Sequence, residues 1–168
     1  MTNSVRYAVA PCPLGWLLIA ATSRGICAIV LGDTPEALLE RVRLLDPLAE
    51  PSDDSTITAW LTALVSLIEQ PTQPLQLPLD VSGSPFQRRV WTALQAIPVG
   101  TTRTYASIAA EIGQPTAARA VATACAANRL AIVIPCHRVV RSSGEVSGYR
   151  WGSERKRALL QREAAAVE

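Results

Sequence analysis

Three short apolar runs open the chain. "SVRYAVA" (residues 4–10), "LGWLLIA" (14–20) and "GICAIVL" (25–31) are separated by Pro/Gly and Ser-Arg-Gly turns, which predicts a strand meander. The period then changes. "TPEALLERVRLL" predicts a helix with Thr34 as N-cap and Pro35 in the first turn. "DPLAEPSDD" reads as a loop. "STITAWLTALVSLIEQ" places Ile57, Trp60, Leu61, Leu64 and Leu67 or Ile68 on one helical face. "PTQPLQLPLDVSGSP" is proline-rich and reads as a strand followed by a linker.

The second half opens on a helix, "SPFQRRVWTALQAI", with Ser84 capping, Pro85 in the first turn, and Phe86, Val90, Trp91 and Leu94 facing inward. After the turn "PVGTTR", residues 104–128 read "TYASIAAEIGQPTAARAVATACAAN". This predicts a helix, a tight turn at Gly113-Gln114-Pro115, and a second helix capped by Thr116, which is the order of a helix-turn-helix. Asn128 closes the second helix, because asparagine tolerates the left-handed conformation found at helix ends. "LAIVIP" follows as a short buried segment. The final helix, "SERKRALLQREAAA", turns Leu159 and Leu160 inward.

Of the 168 residues, 49% are hydrophobic and 18% charged, enough for a core and against disorder. No apolar run approaches the ~20 residues that cross a bilayer, and the opening "MTNSVRYAVA" lacks the apolar core of a signal peptide. The expectation is a cytoplasmic protein with no membrane partner. Cys12, Cys27, Cys125 and Cys136 form no CxxC pair and accompany a single histidine, so neither disulfides nor a metal site is expected. Charge divides the chain. Residues 1–82 carry 4 basic and 9 acidic side chains; residues 83–168 carry 12 basic and 5 acidic ones, nearly all the basic ones arginine. Two domains, 1–82 and 83–168, are expected, the second facing a polyanion.

Two stretches in the second half carry candidate chemistry. The helix after Thr116 is mostly alanine, including Ala118, Ala120 and Ala122, with Arg119 projecting from its first turn. Alanines do not read base edges by hydrogen bonding, but they let a helix approach a groove closely. One arginine beside them can fill the gap left by an extruded base. "VIPCHRVVR" (133–141) sets the only histidine, His137, next to Cys136. The thiolate is the nucleophile and an ordinary cysteine is mostly protonated at neutral pH, so His137 is the natural base, directly or through water. A carboxylate orients such a base. Glu111, Glu145, Glu154, Glu163 and Glu168 are the acids of this half, and spacing does not choose among them.

"PCHRVV" resembles the active-site signature of the O6-alkylguanine-DNA alkyltransferases. The likeness extends through "FQRRVWTALQAIPVGTTRTYASIA", "RAVATACAANRLAIVIPCHRVV" and "SGYRWG", and more weakly over the first 80 or so residues. The resemblance implies an α/β, ribonuclease-H-like amino-terminal domain with a small antiparallel sheet. It also implies a mainly α carboxy-terminal domain with a helix-turn-helix. By resemblance, Cys136 is the alkyl acceptor, His137 its base through a water, Glu163 the residue that orients His137, and Tyr105 the hydroxyl that assists at guanine N3. Asn128 joins the recognition helix to the active-site segment. Val139, Tyr149, Arg150 and Trp151 line the guanine pocket, and Trp151, standing where some members have a small residue, narrows it toward methyl groups. Arg119 replaces the extruded base, and Ala118, Ala120, Ala122, Gln114 and Ser142 contact DNA. The partner implied is double-stranded DNA containing O6-alkylguanine, bound through the minor groove by a monomer with the damaged base flipped. The reaction implied is irreversible, single-turnover transfer of the alkyl group, with O4-methylthymine as a second substrate and no cofactor.

Some members of the family hold zinc in the amino-terminal domain through cysteines and histidines. With its one histidine engaged at 137, this chain has none for such a site. Two other classes of function fit parts of the pattern. A non-catalytic sensor of alkylated DNA would not need Cys136. A thiol hydrolase using Cys136, His137 and Glu163 would not need Arg119 or the alanine helix.

Overall fold

The computed structural model describes residues 4–146 and 148–168. The chain divides into two compact units, Met1–Ser82 and Gly83–Glu168.

In the first unit the meander forms. Strands β1 (Arg6–Cys12), β2 (Gly15–Thr22) and β3 (Gly25–Gly32) pair antiparallel in sequence. A two-residue strand, β4 (Glu50–Pro51), joins β1 in parallel, so the order is β3-β2-β1-β4 and the sheet is mixed at one edge. Leu17, Leu18, Ile19 and Ala20 of β2 are all fully buried, which means both faces of the central strand are covered. Helix α1 (Pro35–Leu45) packs on β2 and β3 through Leu38 and Val42. Helix α2 (Ser55–Glu69) packs on β1 and β2 and buries Ile57, Leu61, Leu64 and Ile68. Each such side chain removed from water is worth about 1.5–3 kcal/mol. The helix starts follow local chemistry: Thr34 Oγ1 accepts from the Ala37 amide at 3.1 Å, and Asp54 accepts from Thr56 at 2.8 Å.

Residues 71–82 do not form the expected strand. Pro71, Pro74 and Pro78 have no N–H to give to a ladder. Only Leu79 bridges to Ile26, framed by Ile26 N–H to Pro78 O and Asp80 N–H to Ile26 O, both 2.8 Å. The approach is close enough to demand glycine at Gly25: its φ is +144°, and a Cβ there would lie 2.6 Å from the Pro78 carbonyl oxygen.

The second unit is mainly helical. Helix α3 (Pro85–Gln95) begins with a full capping box between Ser84 and Gln87 and buries Val90, Trp91 and Leu94, while Phe86 is only half-buried. Helices α4 (Tyr105–Glu111) and α5 (Ala118–Ala126) are joined by a turn, and both pack on α3. The Trp91 indole N–H donates to the Ala124 carbonyl at 2.9 Å and pins α5 to α3. A parallel pair of two-residue strands, β5 (Arg103–Thr104) and β6 (Val139–Val140), ties the start of α4 to the chain just after Cys136. The last helix is α6 (Ser153–Ala166), on which Leu159 is buried and Leu160 half-buried.

Two expectations about α5 are corrected. Thr116 does not cap it. The Ala117 amide is taken by the Gln114 carbonyl at 2.9 Å, so the helix starts one residue later with Ala117 at the N-cap and no side-chain bond. Asn128 is not left-handed; the non-glycine residue with positive φ among the described residues is Ile132, at 74°. A β-branched residue in that region stores about 1–3 kcal/mol of strain. Among the described residues, no helix is long and apolar enough to cross a membrane.

Candidate active site

Asn128 organises the segment that carries the cysteine. It is 1% exposed. Its Nδ2 donates to Ile134 O at 2.8 Å and to Cys136 Sγ at 3.3 Å, and its Oδ1 accepts from the Leu130 amide at 2.8 Å. The side chain thus substitutes for a ladder that the turns of 129–135 lack, and the left-handed Ile132 lets the chain double back. Cys136 then opens a single 3-10 turn, Cys136–Arg138.

Cys136 lines a cavity of about 540 Å³ together with Tyr105 from α4, Ala122, Cys125 and Ala126 from α5, and Arg141 and Gly148–Arg150 from the loop before α6. Burial pushes the Cys136 thiol above its ordinary value. The Asn128 hydrogen bond and the charges of Lys156 and Arg150 act against that rise. Cys125 is pushed up to about 12, first by burial and then by Cys136. At rest Cys136 is a protonated thiol with its anion already partly provided for.

His137 is fully buried, and its Nε2 lies 2.7 Å from Glu163 Oε2 on α6. Arg138 grips the same carboxylate through Nε at 2.8 Å and through its second terminal nitrogen at 2.9 Å, and its remaining terminal nitrogen donates to Ile97 O at 2.7 Å. Burial opposes ionisation of Glu163, but the bonds from His137 and Arg138 outweigh it and hold the carboxyl down to about 2. Glu163 is therefore an anion that only accepts, which puts the histidine proton on Nε2 and a lone pair on Nδ1. Nδ1 is buried with no hydrogen-bond partner among the described residues. Burial lowers the His137 pKa, with Glu163 pulling the other way.

The structure brings Cys136, Tyr105, Tyr149 and Arg150 to one cavity, bonds the buried Asn128 to the Cys136 sulfur, and places His137, paired with Glu163, next to Cys136 in the chain. The buried Tyr149 hydroxyl has no partner among the described residues. Arg150 donates to the carbonyls of Ala127 and Asn128 at 3.4 and 3.3 Å and sits 5.9 Å over the Trp151 ring. Two expected lining residues do not line the cavity. Val139 is buried in β6, and Trp151 is 3% exposed, stacked edge-on behind Tyr149 at 5.1 Å. Trp151 supports the wall from behind, so the sequence-based idea that it narrows the opening directly is replaced.

On α5, Arg119 and Ala120 are exposed, Ala118 and Ala122 half-buried. Arg119, Ala122 and Ala126 follow i, i+3, i+7 spacing, so the exposed arginine shares a face with two residues of the cavity wall. Gln114 lies exposed in the α4–α5 turn, and Ser142 exposed in the turn after β6.

Sequence reasoning missed Lys156 and Arg138. Lys156 is 1% exposed and its Nζ donates to the Val139 carbonyl at 2.7 Å. One signal was available: it is the single lysine among 16 basic residues. Among the described residues, no group of three His, Cys, Asp or Glu side chains is placed to hold a metal ion.

A buried thiol, its hydrogen-bond donor, and a carboxylate-oriented imidazole define a thiol-centred site in a helical unit. Comparison with known proteins makes the class specific. Residues 85–165 match the 6-O-methylguanine DNA methyltransferase DNA-binding domain, and residues 5–81 match the ribonuclease-like domain of the same proteins. The chain is 39% identical over 166 residues to a methylated-DNA–protein-cysteine methyltransferase of Mycolicibacterium paratuberculosis, covering 93% of this chain and 90% of that protein. It is 50% identical to the bifunctional transcriptional activator/DNA repair enzyme Ada of Escherichia coli over 98% of this chain and 47% of that protein, so it spans about half the length of that relative. A crystal structure of Mycobacterium tuberculosis O6-methylguanine methyltransferase superposes with a TM-score of 0.80 at 35% identity, covering 98% of this chain and 95% of that one. The chain belongs to the O6-methylguanine-DNA methyltransferase family.

Proposed function

We propose that this chain repairs alkylated DNA by moving the alkyl group from O6 of guanine to Cys136, once per molecule. The observation that carries the reading is the cavity itself: it joins the Cys136 sulfur to Ala122 and Ala126 of α5, on the face that carries Arg119. In this reading α4 and α5 act as a helix-turn-helix in the minor groove, as a monomer, in the cytoplasm. Ala118, Ala120 and Ala122 allow close approach, and Gln114 and Ser142 touch the backbone. Arg119 takes the place of the base that flips into the cavity. The related Mycobacterium tuberculosis protein has a structure in complex with DNA, at a TM-score of 0.79 and 33% identity to this chain, which supports the DNA partner.

The chemistry follows from the charges. The Cys136 proton passes through a water to His137 Nδ1, whose other nitrogen is already committed to Glu163. The thiolate is stabilised as it forms by Asn128 and by the Lys156 and Arg150 charges. It attacks the alkyl carbon in line; the new S–C bond forms as the C–O6 bond breaks, and that electron pair leaves with guanine. Tyr105, on the same cavity wall, donates toward N3 of the departing base and the imidazolium returns a proton, so the base leaves neutral. O4-methylthymine offers the same electrophilic carbon. The product is a thioether, which water does not cleave, hence one turnover.

Intact-protein and peptide mass spectrometry after incubation with an oligonucleotide bearing one O6-methylguanine tests this. The expected result is one added methyl on the Cys136 peptide with stoichiometric repair, and neither in Cys136→Ser, which still binds the DNA. Binding without any mass change would favour a sensor, and repair beyond one equivalent a hydrolase.

A further inference from the structure

The first unit holds a second cavity, of about 440 Å³, where the start of β1, the β2–β3 turn and the first turns of α2 meet. Arg6, Ser23, Arg24, Asp54, Thr56 and Trp60 are among the residues that line it. Residues 1–82 carry 4 basic against 9 acidic side chains, so this half as a whole repels anions. Two of its four arginines nevertheless line one cavity. The sheet register accounts for their proximity: Arg6 pairs with Ala21 near the end of β2, and Arg24 follows in the turn to β3.

The acid in the cavity has a structural task. The Asp54 carboxylate caps α2, held below the usual carboxylate range chiefly by the Thr56 backbone N–H. Among the described residues neither guanidinium is held in a hydrogen bond or a close ion pair; Arg6 feels Asp54 only at a distance, as one of the weaker influences lowering that carboxyl. Trp60, half-buried on α2, adds an aromatic surface one turn from Thr56. Paired guanidinium forks suit a phosphate oxygen cluster, and an indole suits the face of a base. The cavity volume falls in the ~300–1,000 Å³ range of small-molecule sites.

We propose that this cavity binds one phosphorylated nucleotide unit, with the phosphate between Arg6 and Arg24 and the base against Trp60. The phosphate comes either from a free nucleotide or from a DNA strand. The site is separate from Cys136 and does not depend on alkyl transfer.

The test is calorimetric titration of the full chain with deoxyadenosine monophosphate, with inorganic phosphate and with a short single-stranded oligodeoxynucleotide. Wild type is compared with Arg6→Gln/Arg24→Gln, Arg6→Lys/Arg24→Lys and Trp60→Leu. Both arginines are exposed, and thermal melts verify that the variants stay folded. Loss of both arginines is expected to weaken deoxyadenosine monophosphate by about a hundredfold, with the lysine pair retaining most of the affinity. Trp60→Leu is expected to weaken the nucleotide about tenfold and leave phosphate unchanged. Alkyl acceptance by Cys136 from free O6-benzylguanine stays at the wild-type rate in all variants, so failure here is distinct from failure of the repair reading. An oligonucleotide affinity that falls in the double glutamine variant, without nucleotide binding, assigns the phosphate to a DNA strand. The proposal is overturned if no phosphate-bearing probe depends on Arg6 and Arg24, or if Trp60→Leu weakens phosphate as much as nucleotide.

Discussion

Glu163→Gln keeps the size of the side chain and removes its charge, and it has separate consequences for folding and for chemistry. The carboxyl is held at about 2 against an ordinary 4.5, the bonds from His137 and Arg138 overcoming the penalty of burial. At ~1.36 kcal/mol for each pH unit of displacement, the folded state gains about 3 kcal/mol from the ionised form. Because the folded value is the lower one, this stabilisation is complete above the ordinary value of 4.5 and is lost as pH falls toward about 2. Glutamine should therefore cost about 3 kcal/mol at neutral pH, and much less in acid. The chemical effect is on the tautomer. A carboxamide can donate to His137 Nε2 as readily as accept from it, which moves the proton to Nδ1 and removes the lone pair. Loss of a general base slows transfer by ~10²–10⁴. Single-turnover transfer from an O6-methylguanine oligonucleotide, beside urea unfolding at neutral and acid pH, measures both. A folded Glu163→Gln that transfers at the wild-type rate refutes the assignment of His137 as base, and a stability gap that does not shrink in acid refutes the electrostatic account. Glu163→Asp, which keeps the charge, should recover stability before it recovers rate.

Three further outcomes are expected. Lys156→Met removes a charge that lowers the Cys136 pKa and the donor to Val139 O; the rise of the transfer rate with pH should move to higher pH, and an unchanged profile would leave Lys156 a packing residue only. Gly25→Ala should destabilise by more than ~1 kcal/mol, because the left-side φ and the Pro78 carbonyl both resist a Cβ; a melting temperature equal to wild type would mean that residues 78–80 are not held against β3. Trp151→Gly removes the support behind Tyr149 and should cost about 3–5 kcal/mol; its inactivation by O6-benzylguanine should not accelerate, and acceleration would restore Trp151 to the lining of the cavity.

Much of this was legible where local chemistry decides. Thr34-Pro35 and Ser84-Pro85 mark helix starts because a cap and a fixed φ act within one turn. The strand meander follows from alternation and turns. Residues 71–82 were misread because apolar content there suggests a strand, whereas three prolines deny it a ladder. The start of α5 slipped by one because a backbone bond from Ala117 to Gln114 took precedence over a threonine able to cap. For the site, residue types and resemblance pointed to Cys136, His137 and Glu163. Resemblance also placed Asn128 at the joint before the active-site segment, but how it holds that segment was out of reach, because it does so through side-chain hydrogen bonds to a stretch with no periodicity.

Lys156 and Glu163 show what was hidden in α6, a helix whose extent was legible while its two buried charges were not. They stand seven residues apart, two turns, on one face with the inward Leu159 between them, so the buried side of the helix carries two charges, residue types that by themselves read as solvent-facing. Each charge has a partner in the four residues after Pro135: Lys156 takes the Val139 carbonyl, and Glu163 takes His137 and Arg138. An apolar face would bury more cheaply. It would not fix the imidazole tautomer or place a positive charge within reach of the thiol. The same contacts hold residues 137–139, downstream of the strained Ile132 backbone that Asn128 organises. Stability at this helix is thus subordinate to the electrostatics of the thiol, and polarity on an inner helical face is here the mark of the site itself.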